Sequence, residues 1–259
     1  MPSDVTRFEP HGTRWSDLAQ LGELDAVLSP GSPERANLFL HALTLYAAKV
    51  ALALDPNKRR KKGILVDFGC GTGRFVRFFG ARGYSVIGLD ITPEMLSAAR
   101  KFGLPQGSDL QLTDGVSIPC PDQSVDMIWI CGVLKYGLFV HPFLEFELQQ
   151  DPAYPRIAKE MYRVLKPGGF VANYEIFVNN VQPEVFTRDF EQAGFITKDV
   201  RILQRYGRLE WHCQWSRLPL KWLIPAGQVC AALHYWFDDP KRPAPGLRDY
   251  LFVWCKQNA

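Results

Sequence analysis

The sequence predicts a doubly wound α/β domain with a seven-stranded, mostly parallel sheet, and three observations carry that prediction. From Ile64 onward, short apolar runs of strand length alternate with helical segments. That is the pattern of strands buried on both faces by crossover helices. The first run ends in closely spaced glycines, Gly69, Gly71 and Gly73, which lead into a helix. The second run closes on an acidic residue, Asp90, at the edge where open α/β sheets collect their ligands.

Each element has a local signature. Residues 34–54 carry apolar side chains at helical spacing (Leu38, Ala42, Leu45, Ala48, Leu52) behind Ser32-Pro33-Glu34, a cap, a first-turn proline and an acidic first turn. Ile64–Phe68 is the first strand and Arg74–Ala81 a helix. Tyr84–Asp90 is the second strand, and Thr92-Pro93-Glu94 starts a helix reaching Phe102. Leu110–Leu112 and Val125–Cys131 are strands three and four. Pro155–Lys166 reads as a helix stopped by Pro167-Gly168-Gly169, before a fifth strand over Phe170–Ile176. Pro183–Ala193 is a helix closed by Gly194, Ile196–Leu203 a sixth strand and Tyr250–Lys256 a seventh. The division expected is an N-terminal helical cap over 1–55 and a main domain over 56–259. Within the latter, 204–248 is an insertion before the last strand, on the substrate side.

Bulk properties narrow the classes. A chain of 259 residues, 47% hydrophobic and 22% charged, fits one large folded domain. A net charge of +3 does not call for a nucleic-acid partner. The start MPSDVTRFEP lacks an apolar signal core, and the apolar stretch after Leu38 is interrupted by His41, Thr44 and Lys49, so no membrane segment is expected. Six cysteines form no C-x-x-C pair, which argues against a metal site and for a cytoplasmic protein without disulfides. The basic run Lys58–Lys62 reads as a solvated loop, with nuclear import as its other use.

The glycine turn is the strongest chemical signal. Val66-Asp67-Phe68-Gly69-Cys70-Gly71-Thr72-Gly73 joins a strand to a helix, so backbone N–H groups and a side-chain-free surface face a ligand. Its third glycine falls one residue too early for the dinucleotide fingerprint, and the Gly-Lys-Ser/Thr of a P-loop is absent. With Asp90 positioned to accept ribose hydroxyls, the pair reads as an adenosine-type pocket.

These residues resemble the class I S-adenosylmethionine-dependent methyltransferases, small-molecule type. Asp67 to Gly73 is similar to the family's acidic residue followed by G-x-G-x-G; Leu89 to Leu96, Asp114-Gly115, Pro121 to Ile128 and Arg163-Val164-Leu165-Lys166-Pro167-Gly168-Gly169 resemble its later segments in order. The resemblance implies S-adenosyl-L-methionine as donor and S-adenosyl-L-homocysteine as product. It implies that Asp67 and the backbone of Gly69, Cys70, Gly71, Thr72 and Gly73 hold the methionine end. Asp90 would take the ribose, Ile91 the adenine face and Asp114 the adenine amino group beside Gly115. Cys131 and Gly132 would face the sulfonium, and the last strand would run antiparallel. Asp114-Gly115 departs slightly from the family's usual Asp-Ala.

The acceptor is less constrained. Cys131-Gly132-Val133-Leu134 stands where amino methyltransferases of adenine or glutamine have Asn/Asp-Pro-Pro-Tyr/Phe, which disfavours that group. Four of the seven tryptophans lie in 204–248, suiting a small aromatic or apolar acceptor or, equally, a satellite core or a homodimer contact. His141, Tyr136 and His212 are the candidate catalytic residues, with His234 and Glu175 as further positions. The expected reaction is methyl transfer to O, N or C of a small molecule. RNA or protein methylation and a non-catalytic scaffold or binding protein are the alternatives.

Overall fold

A computed structural model describes residues 15–28, 34–55, 63–134, 153–177, 183–205, 219–237 and 248–258. Seven strands form one sheet: β1 (Ile64–Phe68), β2 (Ser85–Asp90), β3 (Asp109–Leu112), β4 (Val125–Cys131), β5 (Leu165–Phe177), β6 (Ile196–Arg205) and β7 (Arg248–Cys255). Their order is β3-β2-β1-β4-β5-β7-β6. The pairs β2–β3, β1–β2, β1–β4 and β4–β5 are parallel, and β7 runs antiparallel to both β5 and β6. The seven strands and the reversed last one agree with the sequence reading.

Seven helices are described: α1 (Trp15–Leu18), α2 (Glu34–Ala53), α3 (Arg74–Gly80), α4 (Pro93–Lys101), α5 (Ala153–Val164), α6 (Pro183–Gln192) and α7 (Leu220–Phe237). One core lies between the sheet and α5 and α6, where Phe190 stacks on Trp254 with centroids 3.9 Å apart. The opposite core is filled by Phe75, Phe79 and Trp129 together with Ala47, Ala48 and Ala51 of α2. Strands covered on both sides explain the unbroken apolar runs, because neither strand face meets water.

Two local readings change. The helix expected over Pro155–Lys166 stops at Val164, and Lys166-Pro167-Gly168-Gly169 belongs to β5. Long-range pairing decides this. Leu165 pairs with Val125, Gly168 donates to the Lys256 carbonyl at 3.0 Å, and Lys256 donates back to Gly169 at 2.9 Å. Thr92 does occupy the N-cap of α4, but its hydroxyl makes no cap bond.

The segment between β6 and β7 contains a helix that the sequence reading did not predict. α7 packs beside α2 and over β6: Phe39, Leu43, Cys230 and Ala231 form a small core, and a Cβ on Gly227 would sit 2.7 Å from that of Ala42. Tyr235 meets Tyr46 edge to face, while Trp222 and Trp236 lie exposed on the outer side of α7. So this part of the insertion builds the satellite core, and the aromatic residues Tyr206, Trp211 and Trp215 lie outside the described residues. α2 is long and apolar enough to cross a membrane. Here one side of it is packed into the protein, with Phe39, Ala42, Leu43, Ala47, Ala48 and Ala51 fully buried.

Candidate functional site

The parallel order puts the carboxyl ends of β1, β2 and β4 side by side, and β1 and β4 diverge from there to opposite neighbours. Ligand clefts form at such a switch point. The turn after β1 is fixed by its own backbone: Gly69 and Cys70 both donate to the Leu89 carbonyl at 2.8 Å, and Gly73 donates to Cys70 at 2.9 Å. Gly69 and Gly71 need their missing side chains. Both have positive φ, 75° and 51°, and a Cβ on Gly69 would lie 2.3 Å from Val133 Cγ2. No L side chain fits both the conformation and the space.

Asp90 ties the second strand to this turn. Its Oδ2 accepts from the Gly71 N–H at 2.8 Å and its Oδ1 from the Thr92 N–H at 2.9 Å. Burial raises its pKa, and those N–H bonds pull the other way. Ile91, next along, is 38% exposed, and a Cβ on Gly115 would touch its Cγ2 at 3.2 Å. Ile91 and Gly115 therefore lie against each other, the two positions that the resemblance assigns to the adenine. Asp114, just before Gly115, is exposed. Its slight burial would raise its pKa, but bonds from the Ser117 and Val116 N–H groups (2.6 and 2.9 Å) and the Ser117 hydroxyl (2.9 Å) hold it below the usual range. It stays ionised and turned to solvent.

Asp67 is the most perturbed carboxylate. It is 2% exposed, its Oδ2 has no hydrogen-bond partner, and burial lifts its pKa to about 7 against the pull of Arg74. An unpartnered buried carboxylate oxygen beside a glycine turn calls for a cationic donor. The α-ammonium of a methionine moiety is such a group, and the Asp90 carboxylate beside the turn suits a ribose.

Residues 15–28 close over the turn. The Thr72 hydroxyl donates to the Glu23 carbonyl at 3.0 Å, Arg77 pairs with the Glu23 carboxylate and donates to the Thr72 carbonyl at 3.0 Å, and Val27 lies against Gly71. Leu18 and Ala26 pack on Met95 of α4. Asn37 of α2 donates to Asp25 at 2.5 Å, which links this cover to α2.

Cys131 and Gly132, at the end of β4, are where the resemblance would place the sulfonium. Glu175 is fully buried, and its Oε1 accepts from both Val133 and Leu134 N–H groups, at 3.0 and 2.9 Å, fixing the chain as it leaves β4. Arg74, 7% exposed at the start of α3, donates to Cys131 Sγ at 3.3 Å, to Thr44 Oγ1 at 2.7 Å and to His41 Nδ1 at 3.1 Å. Sequence reasoning missed this cluster. Its visible signal was a charged residue directly after the glycine turn and two polar side chains, three residues apart, on an apolar helix.

Thus Asp67, Gly69, Cys70, Gly71, Thr72, Gly73, Asp90, Ile91, Asp114, Gly115 and Cys131 gather along one rim, the carboxyl ends of β1 to β4. His141, Tyr136 and His212 lie outside the described residues, as does the side chain of His234. Among the described residues no group of His, Cys, Asp or Glu is arranged to hold a metal ion.

Residues 66–173 match the model of a methyltransferase domain family. The chain is 32% identical over 143 residues to a malonyl-[acyl-carrier protein] O-methyltransferase of Serratia marcescens, covering 52% of this chain and 50% of that protein. It is 29% identical over 124 residues to a demethylmenaquinone methyltransferase of Thermus thermophilus, covering 46% and 48%. The aligned part thus spans about half the length of each relative. The geranyl diphosphate C-methyltransferase of Streptomyces coelicolor A3(2) superposes with a TM-score of 0.56 at 14% identity, over 95% of this chain and 99% of that one, a likeness of fold.

Proposed function

Because this chain belongs to the class I S-adenosylmethionine-dependent methyltransferases, we propose that it transfers a methyl group from that donor to an O, N or C atom of a small, aromatic or apolar acceptor. The observation that carries the reading is the unpartnered, buried Asp67 oxygen beside a glycine turn that Asp90 also grips. A scaffold that bound no cofactor would gain nothing from a buried carboxylate of this kind.

The donor, when bound, supplies an activated methyl group on a cationic sulfur. Asp67 binds and orients through its free oxygen. Asp90 offers lone pairs to ribose hydroxyls while its N–H partners keep the carboxylate still. Ile91 and Gly115 lie against the adenine. Residues 15–28 exclude water over Gly71 and Thr72. Glu175 and Arg74 fix the end of β4, so alignment at Cys131 comes from a rigid floor, and alignment is the larger part of what such a displacement needs.

Methylation of RNA or protein is the weaker reading. The basic run at 58–62 precedes β1 in the sequence, whereas the candidate cofactor residues follow the carboxyl ends of β1 to β4, which does not favour the run as part of the site. The test is calorimetric titration with S-adenosylhomocysteine, followed by a labelled-methyl screen over phenols, carboxylates, amines and RNA. Binding with label on a small molecule supports the proposal; a folded protein that binds no S-adenosylhomocysteine overturns it.

A further inference from the structure

The Arg74 cluster goes beyond cofactor binding. A guanidinium has five donors and no acceptor. So the 3.1 Å contact between Arg74 Nη1 and His41 Nδ1 has one polarity: His41 Nδ1 accepts. A neutral imidazole that accepts at Nδ1 carries its proton on Nε2. The ring cannot take a second proton without facing Arg74 charge to charge. Burial, and the charges of Arg74 and then Arg77, push its pKa down to about 3. His41 is therefore a neutral donor and cannot be a general base near neutral pH. The residue is only partly buried. Through Arg74 it is tied to Cys131, where the resemblance would place the sulfonium.

The electrostatics select what meets this donor. Arg74 is nearly buried; the Asp67 carboxylate feels its charge, but among the described residues no carboxylate comes close enough to form an ion pair with it. A cation held in low dielectric beside a bound sulfonium favours an anion near both. A neutral Nε2–H backed by that cation suits an oxygen that carries negative charge.

We infer that His41, locked by Arg74 as the Nε2–H tautomer, is the acceptor-side hydrogen-bond donor of this site, and that the acceptor is an oxyanion, a carboxylate or a phenolate. Arg74 is the positioning residue and Thr44 shares the hold. The inference rests on the methyltransferase reading above. In the step it serves, a lone pair of the acceptor oxygen forms the new O–C bond. The C–S bonding pair stays on sulfur, and the oxyanion and sulfonium charges cancel. No proton has to be removed, so no base is required.

The test has three arms on the full chain. Nitrogen-15 NMR of histidine-labelled protein, with the His41 signals assigned by their loss in His41→Gln, should show Nδ1 unprotonated, Nε2 protonated and no titration from pH 5 to 8. A His41 that titrates near 6.5 or carries Nδ1–H overturns the inference. Calorimetry with S-adenosylhomocysteine should give affinities within about twofold for wild type, His41→Leu and His41→Gln. An absence of binding to wild type sinks the methyltransferase reading and leaves the tautomer result standing. Labelled-methyl transfer to a panel of carboxylates and phenols should fall by about tenfold or more in kcat/KM in His41→Leu. It should be largely restored in His41→Gln, whose amide can accept from Arg74 and still donate. Unchanged turnover in His41→Leu, or label accepted only by amines, overturns it.

Discussion

The Asp90 carboxylate accepts the Gly71 N–H at 2.8 Å, so the acidic end of β2 and the glycine turn after β1 form one rigid unit. A second bond from Thr92 at 2.9 Å fixes the other oxygen. The carboxylate is thus aimed before any ligand arrives, which lowers the ordering cost of binding.

Asp90→Ala removes both the ribose acceptors and the tie to Gly71. Hydrogen bonds to a charged group contribute about 1.5–3 kcal/mol. Affinity for S-adenosylhomocysteine should drop roughly tenfold to a hundredfold by calorimetry. An unchanged affinity would remove Asp90 from the cofactor site.

Asp67 gives a pH signature. Its folded pKa, about 7, lies above the ordinary 3.8, chiefly because of burial. The folded state therefore prefers the protonated form. Stability from this group is fully present below about pH 4 and is lost as pH rises to about 7. Urea unfolding of Asp67→Asn should lose that decline and gain most over wild type above pH 7. A parallel pH dependence in the two proteins would contradict the assignment. Wild type should also release protons on binding S-adenosylhomocysteine near pH 6.5, measurable in buffers of different ionisation enthalpy.

Glu175 holds the exit of β4 with one oxygen. Glu175→Ala strands two N–H groups, of Val133 and Leu134, at a cost of about 1–3 kcal/mol each if they stay buried. Chemical denaturation should register a loss on that order, and amide exchange at Val133 and Leu134 should quicken. Glu175→Gln keeps an acceptor oxygen and should lose less.

Arg77→Met cuts the ion pair to Glu23 and the bond to the Thr72 carbonyl. Both partners of the pair are partly exposed, so stability should change little. The cover over Gly71 and Thr72 should open more readily, and stopped-flow dissociation of S-adenosylhomocysteine should speed up several-fold. A dissociation rate equal to that of wild type would show that residues 15–28 do not gate the cleft.

Much of the fold was legible because its signals are local. The strand cores from Ile64, Val86, Val125 and Phe170 announce themselves by unbroken apolar runs, α2 by apolar side chains at helical spacing and α4 by the proline and acidic residue of its first turn. Lys166–Gly169 misled for the complementary reason. Proline and glycines stop a helix locally, yet whether they continue as a strand depends on Lys256, some 90 residues away. α7 was hidden because a helix that is apolar nearly all round lacks the polar stripe that marks amphipathic spacing.

By itself the sequence determined the sheet's composition, the glycine turn that needs positive φ, and the carboxylates Asp67 and Asp90 at strand ends. These follow from backbone sterics and side-chain period, which act over neighbouring residues. Only the tertiary structure decided that His41 and Thr44 meet Arg74, that Glu175 holds Val133, and that Glu23 covers Thr72. Those contacts join residues 30 to 49 positions apart. Their partners are chosen by which strand lies beside which and by how the helices pack against them, information no short window of sequence contains.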